Sequence, residues 1–261
     1  MEPPRLLLKP FKIFQSTWAR RALFGGYWYI IEIIILGLLL VAIPYFSVNQ
    51  YANSVGHTVW DPELPFDRAI PVISWMIVPY VSLYLLNPLP IITHPRNERA
   101  RMELLLTLQA IGTLTIVSCI FFLLLPAEVD MRDQLPAEIM NGEGGIIGEL
   151  FRMMHSADEP WNAWPSLHIS QSFVLVMVMT RWLKREWSDY SWSRPALLIL
   201  WTDVILLFIS ILTTKQHYVW DLATGLMMGY FWWWMLSAGF KRLDSMSDDD
   251  IAAEFTGDAN E

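Results

Sequence analysis

Six apolar runs, each close to the length needed to cross a lipid bilayer, constrain this chain more than any other feature. They cover residues 27–46, 69–92, 102–125, 167–183, 195–214 and 218–240. A helix rising ~1.5 Å per residue needs roughly 20 residues to cross the hydrocarbon. Within lipid every backbone polar group must find a partner inside the chain, which helices provide. Membrane strands are excluded, because no run keeps polar/apolar alternation over ~10 residues. The expected fold is all-α: a polytopic membrane bundle of six transmembrane helices with a long outer loop, 126–164, between the third and fourth. The hydrophobic share of 54% would not by itself separate this chain from a soluble domain. Its clustering does.

Three regions follow: a basic cytoplasmic N-terminus (1–26), a membrane domain (27–240) and an acidic tail (241–261). The first apolar run is expected to be a retained helix, since it is longer than a signal-peptide core and no small-residue cleavage site follows Pro44. The tail carries seven acids and no base from Asp244 onward and is expected to be disordered. With six spans both termini share a side. That side holds 14 of the Lys and Arg residues and the other only Arg68, Arg132, Arg152 and Lys215. Positive residues stay inside, so the termini are expected in the cytoplasm. The formal net charge of -8 comes from acids gathered in the outer loop and tail, and no nucleic-acid partner is expected. Cys119 is the sole cysteine, so no internal disulfide can form. Gly142, Gly144, Gly145 and Gly148 predict a mobile middle for the outer loop, with a short interfacial helix over 150–155. Gly225 and Gly229 form a GxxxG pair, which predicts close helix packing, with a homodimer as the lesser alternative.

Three polar features fall on the outer boundary. Arg132 follows the third run, Trp164-Pro165-Ser166-Leu167-His168 opens the fourth, and Thr213–Asp221 turns the fifth into the sixth. His217 and Asp221 stand four apart, on one helical face. A carboxylate there can accept the Nδ1 proton and leave Nε2 with a free lone pair, as a nucleophile or base requires. An interfacial His–Asp bond that merely anchors the helix is the alternative. Ser166 reads as an N-cap, and a helix N-terminus with a histidine in its first turn favours a phosphate. With two such histidines, one can attack phosphorus while the other protonates the departing oxygen. Lys215 and Arg132 would neutralise phosphoryl oxygens. Glu32 and Asp203 lie alone in apolar runs and read as snorkelled or protonated acids, whereas His57 and His155 read as solvated. A metal held by His155, His168, His217 and Asp221 is a weaker alternative.

Pro165-Ser166-Leu167-His168, followed 49 positions later by His217 in a QHYxxD segment, resembles the type-2 phosphatidic acid phosphatase superfamily. The PSLH and KQHYxxD variants look closest to its inositol phosphorylceramide synthase-like branch. The resemblance covers about 104–229. It implies a six-helix membrane fold, no metal or other cofactor, and a phosphohistidine intermediate. Carried over, His217 would be the nucleophile, Asp221 its orienting partner, His168 the general acid and later base, and Ser166 a phosphate contact. The implied activity is a membrane-embedded phosphatase acting on a lipid-like phosphomonoester or pyrophosphate at the extracytoplasmic or lumenal side. A headgroup phosphotransferase and an inactive lipid-binding relative are the alternatives. The chain departs from the family pattern in places. The lysine ahead of an Arg-Pro pair is missing, Arg132 precedes Asp133, and Leu167 stands where glycine is common. Ile211 replaces an arginine six before the nucleophile, a charge that Lys215 is expected to supply.

Overall fold

The computed structural model describes residues 4–141 and 143–255. Among them there is no strand, only an isolated bridge between Ala127 and Asn162. Three helices are long and apolar enough to cross a membrane: α1 (Leu23–Val55), α3 (Glu98–Leu124) and α6 (Ser193–Thr213). They are compatible with an integral membrane protein. The other three expected spans are helical but do not meet the same measure. The second run breaks into α2 (Ser74–Leu86) and a separate turn, Leu89–Thr93, because Pro79, Pro88 and Pro90 withhold backbone donors. The fourth and sixth runs form α5 (Leu167–Glu186) and α7 (Val219–Asp244), which carry polar and aromatic residues along their lengths. α1 is itself interrupted by a π-helical turn, Leu38–Ala42.

The core runs between α3, α5 and α7. α5 and α7 meet closely because the GxxxG pair faces α5 within the same chain. A Cβ on Gly225 would stand 2.8 Å from the Ser166 carbonyl oxygen, and one on Gly229 would stand 2.9 Å from that of Ser170. The pair is consumed inside the protein, which removes the motif as a reason to expect a dimer. Gly225→Ala should therefore push Ser166 and the start of α5 outward. The expected cost is about 1–3 kcal/mol, read as a lower Tm in detergent. Gly37→Ala is the control, since its Cβ meets nothing closer than 3.9 Å.

Two structures close the end expected to be cytoplasmic. Fully buried Glu103 of α3 accepts hydrogen bonds from Trp182 Nε1 (2.7 Å), Arg181 Nε (3.1 Å) and both Arg185 terminal nitrogens (2.6 and 2.8 Å) on α5. Beside it, the chain ends interlock. The short helix α8 (Asp248–Ala252) is capped by Ser247, whose side chain accepts from the Asp250 backbone N–H. Ile251 and Phe255 are buried, Glu254 pairs with Arg242 at 2.6 Å, and Trp18 Nε1 donates to the Ala252 carbonyl at 3.2 Å. The expectation of a disordered tail thus fails as far as residue 255. Two apolar residues among the acids, a cap and an ion pair dock it.

The outer loop also departs from expectation. α4 (Gly145–Ala157) is longer than the helix expected over 150–155, and Phe151 and Met154 are buried on its inner face. Gly145 uses its left-handed conformation, φ 60°, at the start of that helix. Gly142 lies outside the described residues. Glu32 is paired with Arg20 at 2.6 Å, and Asp203 accepts from Ser82 Oγ at 3.0 Å, so neither acid is alone.

Candidate functional site

The turn joining α6 to α7 is built to present His217. The N–H groups of Gln216 and His217 both return to the Ile211 carbonyl, at 3.0 and 3.1 Å, closing α6. Lys215 takes the left-handed position, φ 60°, that ends many helices and is ordinarily glycine. Its ammonium is buried and donates to the Asp67 carbonyl at 3.0 Å. Burial pushes that ammonium down, and the Asp67 carboxylate is the first of the charges that oppose the shift. Lys215 therefore ties the turn to the first outer loop. The Asp67 side chain completes the tie by accepting from the Val219 N–H, at the head of α7, at 2.9 Å. Nothing in the sequence marks Asp67, because its partners are backbone groups and a lysine distant along the chain.

α7 starts on a reciprocal cap, with Asp221 Oδ2 accepting from the Tyr218 N–H at 2.9 Å. The same oxygen stands 3.2 Å from His217 Nδ1. The Ala163 carbonyl stands 3.0 Å from that nitrogen as well. Both neighbours are acceptors, so Nδ1 must carry the proton and Nε2 the lone pair. His217 Nε2 then faces His168 Nδ1 at 3.3 Å and Ser166 Oγ at 3.4 Å. His168 Nε2 meets the hydroxyl of Tyr80, from α2, at 2.9 Å. The pattern runs in one direction, with Tyr80 donating to His168, His168 to His217, and His217 to Asp221 and Ala163. Asp221 is fully buried, and His217 and His168 are only 4% and 8% exposed. The two rings that the sequence placed 49 residues apart stand within hydrogen-bond distance of each other.

Ser166 takes the N-cap backbone position of α5 but makes no side-chain cap, and its hydroxyl turns to His217 instead. Arg132 reaches the pocket too. Its Nη2 donates to the Asp158 carbonyl at 2.9 Å, while its buried Nε has no hydrogen-bond partner. Arg132, Asp158, Glu159, Asn162, Gln216 and His217 surround a cavity of ≈ 10 Å³, about the space of one water. The Asn162 amide is likewise buried with no partner on either of its polar atoms. Burial pushes the Arg132 guanidinium below its ordinary value, the mark of a cation short of compensation. Unpaired donors of Arg132 and Asn162 beside a histidine lone pair offer contacts to an anion, opposed by Asp158 and Glu159 in the same lining. Lys215, expected to help there, is committed to Asp67. Asn162, Tyr80 and the Ala163 carbonyl were not legible in the sequence, being a loop amide, a residue of another helix and a backbone atom.

His155 corrects another expectation. It is half-buried, and its Nε2 accepts from the Gln216 side-chain amide at 3.3 Å. Burial, then the nearby Arg132 charge, lower it to about 4. The unfolded value is about 6.5, so the unfolded chain binds the extra proton first as pH falls. The stability held by neutral His155 is complete above pH ~6.5 and is lost as pH falls toward 4. Tm should drop more between pH 7 and 4 in the wild type than in His155→Gln, which cannot titrate.

The comparison with known families bears on this arrangement. Residues 132–244 match the family model described as the PAP2 superfamily. No curated protein and no solved structure matches the chain. The PAP2-matched stretch contains Arg132, Asn162, Ser166, His168, His217 and Asp221. Tyr80, Asp67 and the whole of α1–α3 lie before it, so the partner of the second histidine comes from outside the matched segment. Similarity to the PAP2 superfamily points to phosphatase or phosphotransferase chemistry on lipid-like phosphates.

Proposed function

We propose that this chain is a six-span membrane phosphatase that hydrolyses a lipid-like phosphomonoester or pyrophosphate without a metal, through a phosphohistidine. The observation that carries the reading is the contact of a tautomer-fixed His217 with His168 beside unpaired buried donors. In this reading α2, α5 and α7 join α1, α3 and α6 as spans, and the Lys/Arg split puts the termini in the cytoplasm and the site on the other face. His168 and Gln171 at one end and Arg181 and Lys184 at the other account for the lower hydropathy of α5.

His217 Nε2 attacks phosphorus, and the P–O bond to the lipid breaks. The departing oxygen takes a proton from the imidazolium form of His168. Water then attacks the phosphorus, His168 takes its proton, and the P–N bond breaks to release inorganic phosphate. Arg132, Asn162 and Ser166 offer donors to the phosphoryl oxygens. Tyr80 suits His168 in both states, because a hydroxyl donates to a bare Nε2 and accepts from a protonated one. Tyr80→Phe is expected to lower kcat about tenfold, the worth of one hydrogen bond. KM should stay unchanged, since Tyr80 orients the acid and does not hold substrate.

A second reading follows from PSLH and KQHYVWD, which resemble the inositol phosphorylceramide synthase-like branch. There an alcohol replaces water and a headgroup moves between lipids. Detergent-purified protein incubated with lipid phosphates in EDTA separates the possibilities. Free phosphate supports the hydrolase. A new phospholipid formed only with added alcohol, and no free phosphate, supports the transferase. No turnover and no acid-labile phosphohistidine leaves an inactive lipid-binding relative and overturns the proposal.

A further inference from the structure

His168 also borders a larger space, away from His217. There it lines a cavity of ≈ 200 Å³ with Tyr45, Leu83, Asn87 and Asp158. A second cavity of ≈ 330 Å³ lies farther along α1, walled by Ile33, Gly37, Leu38, Leu108 and Ile111. Val41, Ala42 and Asn87 line both, so the two meet end to end. From Ile33 to Phe46 the combined slot follows α1 for roughly 20 Å at ~1.5 Å per residue, more than half the hydrocarbon thickness. Its inner part is almost wholly apolar. It also opens sideways, because Ile34 and Leu38 on its rim are 44% and 54% exposed.

Two further features mark the junction. The π-helical turn Leu38–Ala42 falls on it, and such turns re-aim a helix wall. Asn87 stands at the neck, an exposed residue whose side chain lines both cavities. An amide on an otherwise apolar wall offers a donor and an acceptor to a polar group lying in the slot.

We infer that this slot holds one extended hydrocarbon chain of the phosphorylated substrate, with Asn87 bonding the polar linkage between chain and phosphate. The inference rests on the phosphatase reading for the word substrate, and on the cavities alone for the chain. The partners fit by chemistry: an apolar, elongated, laterally open slot takes an alkyl chain arriving from the bilayer. A polar neck suits the ester, amide or hydroxyl that joins such a chain to its phosphate.

Gly37→Phe tests the slot, because a Cβ there meets only Leu108, at 3.9 Å, on a helix of ordinary dihedrals, and both residues line the slot. The variant should lower kcat/KM for hexadecyl phosphate at least tenfold and leave hexyl phosphate unchanged. Equal loss on both, or no loss on either, overturns the slot. Asn87→Leu should cost about five- to tenfold, one hydrogen bond, on an acylglycerol phosphate and nothing on a plain alkyl phosphate. Equal effects remove Asn87 from the inference. A second readout does not need turnover. A hexadecyl phosphate with a photoreactive chain end should label peptides spanning Ile33–Ala42 or Leu104–Ile111, and Gly37→Phe should abolish the label. Label spread evenly over the lipid-facing helices means bulk lipid only and overturns the slot. Slot labelling without turnover of any substrate sustains the chain site and sinks the phosphatase.

Discussion

His217→Ala should abolish phosphate release from lipid phosphates, with a fall of about 10,000-fold or more, as for a nucleophile acting within a unit. The size follows from what stands around it. Of the two contacting rings, His217 presents the Nε2 lone pair, since His168 directs Nδ1–H at it and gives its own lone pair to Tyr80. His168→Ala separates the two steps. That variant should still form phosphohistidine from an activated substrate whose leaving group needs no proton, such as p-nitrophenyl phosphate, and should then accumulate it. Rapid acid-free quenching with a labelled phosphate reads both results. Labelled protein in His217→Ala, or full turnover in His168→Ala, would reverse the assignment of the two rings.

Replacing Asp221 should cost less, and the amount depends on the replacement. Asp221→Asn offers His217 an amide whose NH₂ could favour the wrong tautomer, an error worth about 10,000-fold in a catalytic triad. Here the Ala163 carbonyl also contacts Nδ1 and can only accept, so it opposes that error. The expected fall in kcat is about 100- to 1,000-fold, below the full loss of a triad carboxylate. Asp221→Ala should lose stability too, because Oδ2 caps the Tyr218 N–H and the vacated site is fully buried. A fall as large in Asp221→Asn as in His217→Ala would mean that the carbonyl does not hold the ring.

The parts visible in the sequence are those whose signals are local. His217 and Asp221 advertise themselves by a spacing of four on one helix, and Pro165-Ser166 by standing where a helix begins. The apolar runs are equally plain, since bilayer thickness fixes their length. Whatever depends on a meeting of distant segments stayed hidden. Tyr80 looks like any aromatic in an apolar run until the prolines break that run and the hydroxyl reaches His168. Lys215 carries the right charge for a phosphate, but its side chain serves the turn it sits in, a commitment that only Asp67 reveals. Among the tail's acids, Ile251 and Phe255 gave no periodicity, yet two buried side chains, a capped turn and an ion pair dock the segment. The glycine pair predicted tight packing, and only coordinates could say that the neighbour was α5 and not a second chain.

The Glu103 ion cluster and the interlocked chain ends brace the half of the bundle opposite the histidines. In the proposed topology the phosphate of an inner-leaflet lipid lies at the braced end, away from the histidines, and only its counterpart across the bilayer brings a phosphate to them. Supply would then be set by whatever carries lipid from one leaflet to the other. In sealed vesicles with the protein in one orientation, a single leaflet's pool should be consumed and the remainder left intact until a flip occurs.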